Sequence, residues 1–84
     1  MVLKVFTVYD SKAEAYLKPF YASTLGTATR DFANICNDPE HPFCKHPEDF
    51  CLFELGSYDD ASGKFENLVA PISRGLAIEF KNKN

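Results

Sequence analysis

Residues 24–36 read TLGTATRDFANIC, and this stretch decides the fold. Leu25, Ala28, Phe32 and Ile35 recur at helical spacing, with Ala33 and Cys36 widening the apolar stripe. Thr24 stands where a hydroxyl can accept a hydrogen bond from the first free N–H groups of a helix. Gly26 weakens the first turn, and Asn37-Asp38-Pro39 stops it, because the residue before proline is driven out of the helical region. The pattern predicts an amphipathic helix over about 25–36. Such a helix has to lay its stripe on something, and the flanking sequence offers strands.

Upstream, residues 2–9 (VLKVFTVY) are rich in β-branched and aromatic side chains and predict a strand. From there to Tyr21, with Pro19 and the rings of Tyr16, Phe20 and Tyr21, no period emerges, so a packed loop is expected. Downstream, residues 38–49 (DPEHPFCKHPED) hold three prolines and predict a loop. Pro47 with Glu48 and Asp49 is placed to open one helical turn there. Residues 50–58 (FCLFELGSY) predict a largely buried strand. Asp59 to Gly63 forms a hairpin turn, with Gly63 supplying a positive φ, and residues 64–69 (KFENLV) return as the partner strand. Pro71 to Gly75 reads as a break. Leu76, Ile78 and Phe80 alternate as a last short strand before a frayed KNKN tail at 81–84.

The expected fold is therefore α+β, in the order β-α-β-β-β. A small, mainly antiparallel sheet of three to four strands carries the helix on one face. Eighty-four residues leave room for one domain, 1–84. A chain of this size buries only about 60% of its unfolded surface, and so few strands leave open edges. Both points favour a homodimer.

Composition excludes several classes. At 45% hydrophobic and 25% charged, the chain is neither a disordered tail nor a membrane protein. The start MVLKVFTVYD is too short and polar for a secretory leader, and no apolar run approaches the length of a membrane span. Three cysteines do not make a framework of paired disulfides, and fit reduced thiols in a cytosolic protein. Phosphate-cradling, dinucleotide, zinc-protease and serine-hydrolase motifs are absent.

Cys36, His41, Cys44, His46 and Cys51 lie close together in the order C-x4-H-x2-C-x-H-x4-C. Structural zinc is usually gripped by two close pairs of ligands, and no CxxC occurs. Cys36 belongs to the helix stripe and Cys51 to a strand, so no metal or other cofactor is expected. Cys44 and His46, two apart in an extended loop, face opposite ways and do not form a nucleophile–base pair. The chain is not expected to be an enzyme.

Charge is unevenly spread along the net −3 chain. Residues 31–60 hold Lys45 against eight acids, while the two ends are each weakly basic. Bases interleave with rings near the amino end: Lys4, Phe6, Tyr9, Lys12, Tyr16, Lys18, Phe20 and Tyr21, and again at Lys64-Phe65. Single-stranded nucleic acid is held by stacking bases on such rings, with cations along the phosphates. The alternative is that most of the rings fill the core and the domain serves protein–protein interaction.

The segments VYDSKAEAYLKPF (8–20), ATRDFANICNDPEHPF (28–43) and CKHPEDFCLFELGSYDDASGKF (44–65), with the closing APISRGLAIEF (70–80), resemble the small nonstructural proteins of gokushoviruses. These are single-stranded DNA bacteriophages of the Microviridae. The KHPEDF-x-LF-x-LG block is the most specific part of the match. Tyr58 stands where the family typically has Phe. The resemblance implies a non-enzymatic DNA-binding protein of the bacterial host cytoplasm, acting in the switch to genome single-strand synthesis and packaging. Combined with the residue pattern, it points to Lys4, Phe6, Tyr9, Lys12, Lys18 and Tyr21 as contacts to single-stranded DNA. Arg30, Lys64 and Arg74 are added as phosphate contacts. The acidic middle is left free to meet a viral procapsid or replication protein.

Overall fold

The computed structural model describes residues 1–81. Strand β1 (Val2–Asp10) is the axis of one antiparallel sheet. Strands β2 (Ala15–Tyr16) and β3 (Phe20–Ala22) pair along one edge of β1, and β4 (Phe50–Asp59) pairs along the other. The edge strand β5 (Lys64–Leu76) completes the sheet outside β4. Helix α1 (Leu25–Cys36) follows β3, a single turn α2 (Pro42–Lys45) precedes β4, and another turn α3 (Ala77–Phe80) follows β5. The α+β class and the one main helix are as the sequence predicts.

Helix α1 begins as expected: Thr24 Oγ1 accepts a hydrogen bond from the Thr27 N–H at 3.0 Å. Its buried residues are Ala28, Phe32 and Cys36, a stripe spaced by four. Ile35 is 37% exposed and lies outside it. The stripe meets Phe6 and Val8 of β1, Phe50 and Leu52 of β4, Ala22 of β3, Phe43 of α2 and Ala77 of α3 to form the core. Phe43 reaches Phe50 at 4.5 Å and Phe32 at 5.6 Å between ring centroids, and Phe80 meets Phe32 edge-on at 5.4 Å.

Four local expectations are corrected. The segment between β1 and α1 is not a loop. Asp10 Oδ1 accepts from the N–H groups of Lys12 and Ala13, which folds the chain back so that β2 and then β3 pair with β1. In the proline-rich connection the helical turn opens at Pro42 rather than Pro47, with His41 Nδ1 capping the Phe43 N–H. The rule that proline suits the first turn is obeyed, one proline earlier. Nor does Pro71–Gly75 break the second hairpin strand, because β5 runs through to Leu76 by absorbing extra residues.

Finally, the alternation of Leu76, Ile78 and Phe80 does not make a separate last strand: Leu76 ends β5 and Ala77–Phe80 is helical. Glu79 turns back to accept the Leu76 N–H, the chain coils into α3, and Ala77 is the residue buried while Leu76 and Ile78 stay exposed. Residues 82–84 of the expected frayed tail lie outside the described residues.

The sheet is irregular on its β5 side. Opposite Leu55 of β4 the register jumps from Gly56↔Asn67 to Glu54↔Ile72, so Leu68–Pro71 bulge outward, and Val69 is fully exposed. Arg74 is a second extra residue, between Leu52↔Gly75 and Phe53↔Ser73. A bulge and a proline blunt an edge against pairing with another strand. Overall extents are 43 × 25 × 18 Å. The core occupies one half of the long sheet. At the other half, residues 2–4, 57–59 and 64–67 form a three-stranded arm with no core residue of its own.

Candidate nucleic-acid interface

Side chains alternate along a strand, and directly paired residues share a face. Phe6 and Val8 point to the helix, so Leu3, Val5, Thr7 and Tyr9 point away from it. Through the register, Tyr16 (opposite Tyr9), Tyr21 (opposite Val5), Phe53 (opposite Thr7) and Tyr58 (opposite Leu3) join that outer face, and Phe65 joins it opposite Tyr58.

The outer face carries two ring clusters. Tyr9 lies 4.8 Å from Tyr16 and 6.5 Å from Phe53, with Tyr16 and Phe53 5.6 Å apart. Tyr58 lies 5.7 Å from Tyr21 and 4.7 Å from Phe65. Tyr16, Tyr21 and Phe65 are each about half exposed, while Val5 and Thr7 in the strand between them are buried.

Charge follows the opposite rule. In the paired positions, Lys4, Asp10, Glu54, Asp59, Lys64 and Glu66 all fall on the helix side. The outer face is aromatic, aliphatic and hydroxylic, with Cys51 beside Ser73 at 3.3 Å. Its nearest cation in sequence is Lys12, exposed in the turn that joins Tyr9 to Tyr16.

The predicted contacts therefore separate. Tyr9 and Tyr21 stand in the two clusters. Phe6 does not belong to a binding face: it has no exposed surface and sits at the centre of the core, stacked on Phe20 at 5.8 Å. Lys4 and Arg74 converge on the buried Glu54 instead of on one surface. Arg74 donates to Glu54 Oε1 through Nε at 3.0 Å and Nη2 at 2.8 Å, and Lys4 Nζ lies 3.6 Å from Oε2. Both cations are thereby held on the helix side.

Lys18 lies at the rim of a largely apolar cleft of about 390 Å³. Arg30 is exposed on α1, and Lys64 is exposed at the end of the arm. Phe53 and Tyr58 were not among the sequence-derived contacts. Five residues apart, strict alternation sends them to opposite faces. The extra residue at Leu55 brings them to the same one.

The cysteine–histidine set does not converge. Cys36 is in the core beneath the sheet, Cys51 is on the outer face, and His41 is engaged in capping α2. Burial, and secondarily the nearby Cys44, push the Cys36 thiol up to about 11. At pH 8 only about one part in a thousand is thiolate, the reactive form. Alkylation with iodoacetamide at that pH is expected to leave Cys36 unmodified in the folded protein and to label it in urea. Peptide mass spectrometry reads the difference, and labelling in the native state would contradict this burial. Among the described residues, one group of three metal-ligating side chains converges: His46 and Glu48, both exposed, and the half-buried Asp49.

The chain is thus an α+β protein with its helices on one side of the sheet and aromatic rings displayed on the other. The chain belongs to the Phage ORF5 protein family, whose family model matches residues 3–80, and is thus a bacteriophage protein. No curated protein and no solved structure matches it. Among the described residues, no helix is long and apolar enough to cross a membrane.

Proposed function

We propose that this is a non-enzymatic gokushovirus protein of the host cytoplasm that binds single-stranded DNA and acts in the switch to genome single-strand synthesis and packaging. The observation that carries this reading is the outer sheet face, with six rings in two clusters and no charged side chain in its paired positions. Bases offer π-faces whatever their identity, and each base stacked on a ring is worth ~1–3 kcal/mol. Two occupied clusters give useful affinity without a basic groove.

This chemistry also accounts for a net negative protein holding a polyanion. Stacking supplies the affinity, and phosphates meet only a rim cation such as Lys12, exposed in the turn that joins Tyr9 to Tyr16. Each neutralised phosphate contributes about −0.7 to the salt slope for a single strand. One or two contacts therefore give a shallow dependence.

Fluorescence-anisotropy titrations against a labelled oligothymidylate and a duplex, each at two salt concentrations, test the reading. Tight binding to the single strand, a modest loss with salt and much weaker binding to the duplex are expected. A duplex hides its base faces in its own stack. Absence of single-strand binding at low salt, or equal affinity for the duplex, would overturn it.

A second reading rests on a different place. The cleft between α1, α2 and β3, lined by Val8, Leu17, Phe20, Phe32, Ile35 and Phe43, suits an apolar side chain of a procapsid or replication protein. Substitution of its exposed lining residues, Leu17 or Ile35, would leave DNA affinity alone.

A further inference from the structure

Building on the single-strand reading, we infer that the two ring clusters are separate stacking platforms. They seat two bases of one extended strand, with a single unstacked nucleotide between them. The register gives their separation. Tyr9 and Tyr16 face each other, and Tyr21 lies opposite Val5, four residues back along β1. Phe53 lies opposite Thr7 and Tyr58 opposite Leu3, again four residues.

At about 3.3 Å per strand residue, the platforms are about 13 Å apart. Neighbouring nucleotides in a stacked strand are about 3.4 Å apart, so adjacent bases cannot occupy both. A strand drawn out to about twice that spacing covers the gap in two steps. On β1, Val5 lies opposite Tyr21 and Thr7 opposite Phe53; both are buried and neither carries a ring, so β1 adds no third platform between the two clusters. The middle base therefore finds nothing to stack on, and its identity is immaterial.

The rings also fix where each base lies. The first platform spans β2, β1 and β4, with Tyr16 as its most exposed member. The second reaches from Tyr21 on β3, over β1, to Tyr58 and Phe65 on β4 and β5. Each platform is built from three strands, so neither depends on a flexible loop for its shape.

Competition against labelled ten-residue oligothymidylate tests this. The competitors are ten-residue abasic strands that carry two thymidines separated by zero to four abasic positions. Inhibition is expected to peak with one abasic position between the thymidines, about tenfold above the adjacent pair. Phe65→Ala and, separately, Tyr16→Ala are expected to flatten that peak while urea denaturation shows the fold retained. Both rings are half exposed, so their loss leaves the core intact.

Binding of the oligothymidylate with no dependence on spacing, or with a peak at another separation, would overturn the two-platform inference and leave single-strand binding standing. A peak that survives both substitutions would also overturn it. Failure of the oligothymidylate itself to bind would overturn the reading on which the inference rests.

Discussion

Phe6→Ala is expected to unfold the domain, not merely to weaken a binding surface. The ring has no exposed surface and touches the core from the centre of the axial strand, with Phe20 stacked against it. Truncating a buried phenylalanine costs about 3–5 kcal/mol, from lost transfer energy and the cavity left behind. A chain of this length has on the order of 4–13 kcal/mol of total stability, and one with so small a core belongs toward the low end. Urea denaturation followed by circular dichroism should show a midpoint collapsed toward zero denaturant. Tyr16→Ala, on the outer face of the same sheet, should barely move it. If Phe6→Ala kept its midpoint and lost only DNA affinity, the assignment of the two faces would be reversed.

That contrast also marks how far the sequence was legible. The helix over 25–36 and its Thr24 cap could be read because a 3.6-residue period with a hydroxyl at its start has few other meanings. The hairpin at Asp59–Gly63 could be read because Gly63 takes a positive φ of 73° where the chain must reverse. Alternation along β1 is clear enough to divide Phe6 from Tyr9, but it does not say which face the helix covers. Both faces carry rings, and the helix-side choice rests on Val8, Leu52 and Phe50 meeting Phe32.

Longer-range features left weaker traces. Two-residue strands such as β2 have no period, and only the Asp10 turn betrays them. The convergence of Lys4 and Arg74 on Glu54 depends on an extra residue in β5, and a bulge shifts facing without changing the local pattern. The Leu76–Ile78–Phe80 alternation was a true pattern with a false cause. The Glu79 side chain, which accepts the Leu76 N–H, favours a helical turn over a continued strand.

Gly56→Ala is expected to have the second large effect, and it couples stability to the binding face. Gly56 has φ +156°, and a Cβ there would fall onto the Glu66 carbonyl oxygen and within 2.9 Å of Asn67 Cα. Backbone cannot rotate aside as a side chain can, so β5 has to move away from β4. Overpacking of this kind costs about 1–3 kcal/mol.

The displacement falls on the arm, where residues 64–67 are exposed and held to β4 mainly by strand pairing. Segments with few buried contacts open first. Moving β5 there separates Phe65 from Tyr58, now 4.7 Å apart, and dismantles the second platform. Tyr9, Tyr16 and Phe53 lie beyond the register shift and over the core half of the sheet, so the first platform survives. Amide hydrogen exchange should therefore show β5 residues near Glu66 losing protection while β1 residues near Val8 keep theirs. Single-strand affinity should fall to that of Phe65→Ala, and adding Phe65→Ala to Gly56→Ala should cost little more. A variant with full β5 protection, or one whose binding loss adds to that of Phe65→Ala, would show that Gly56 does not hold the second platform together.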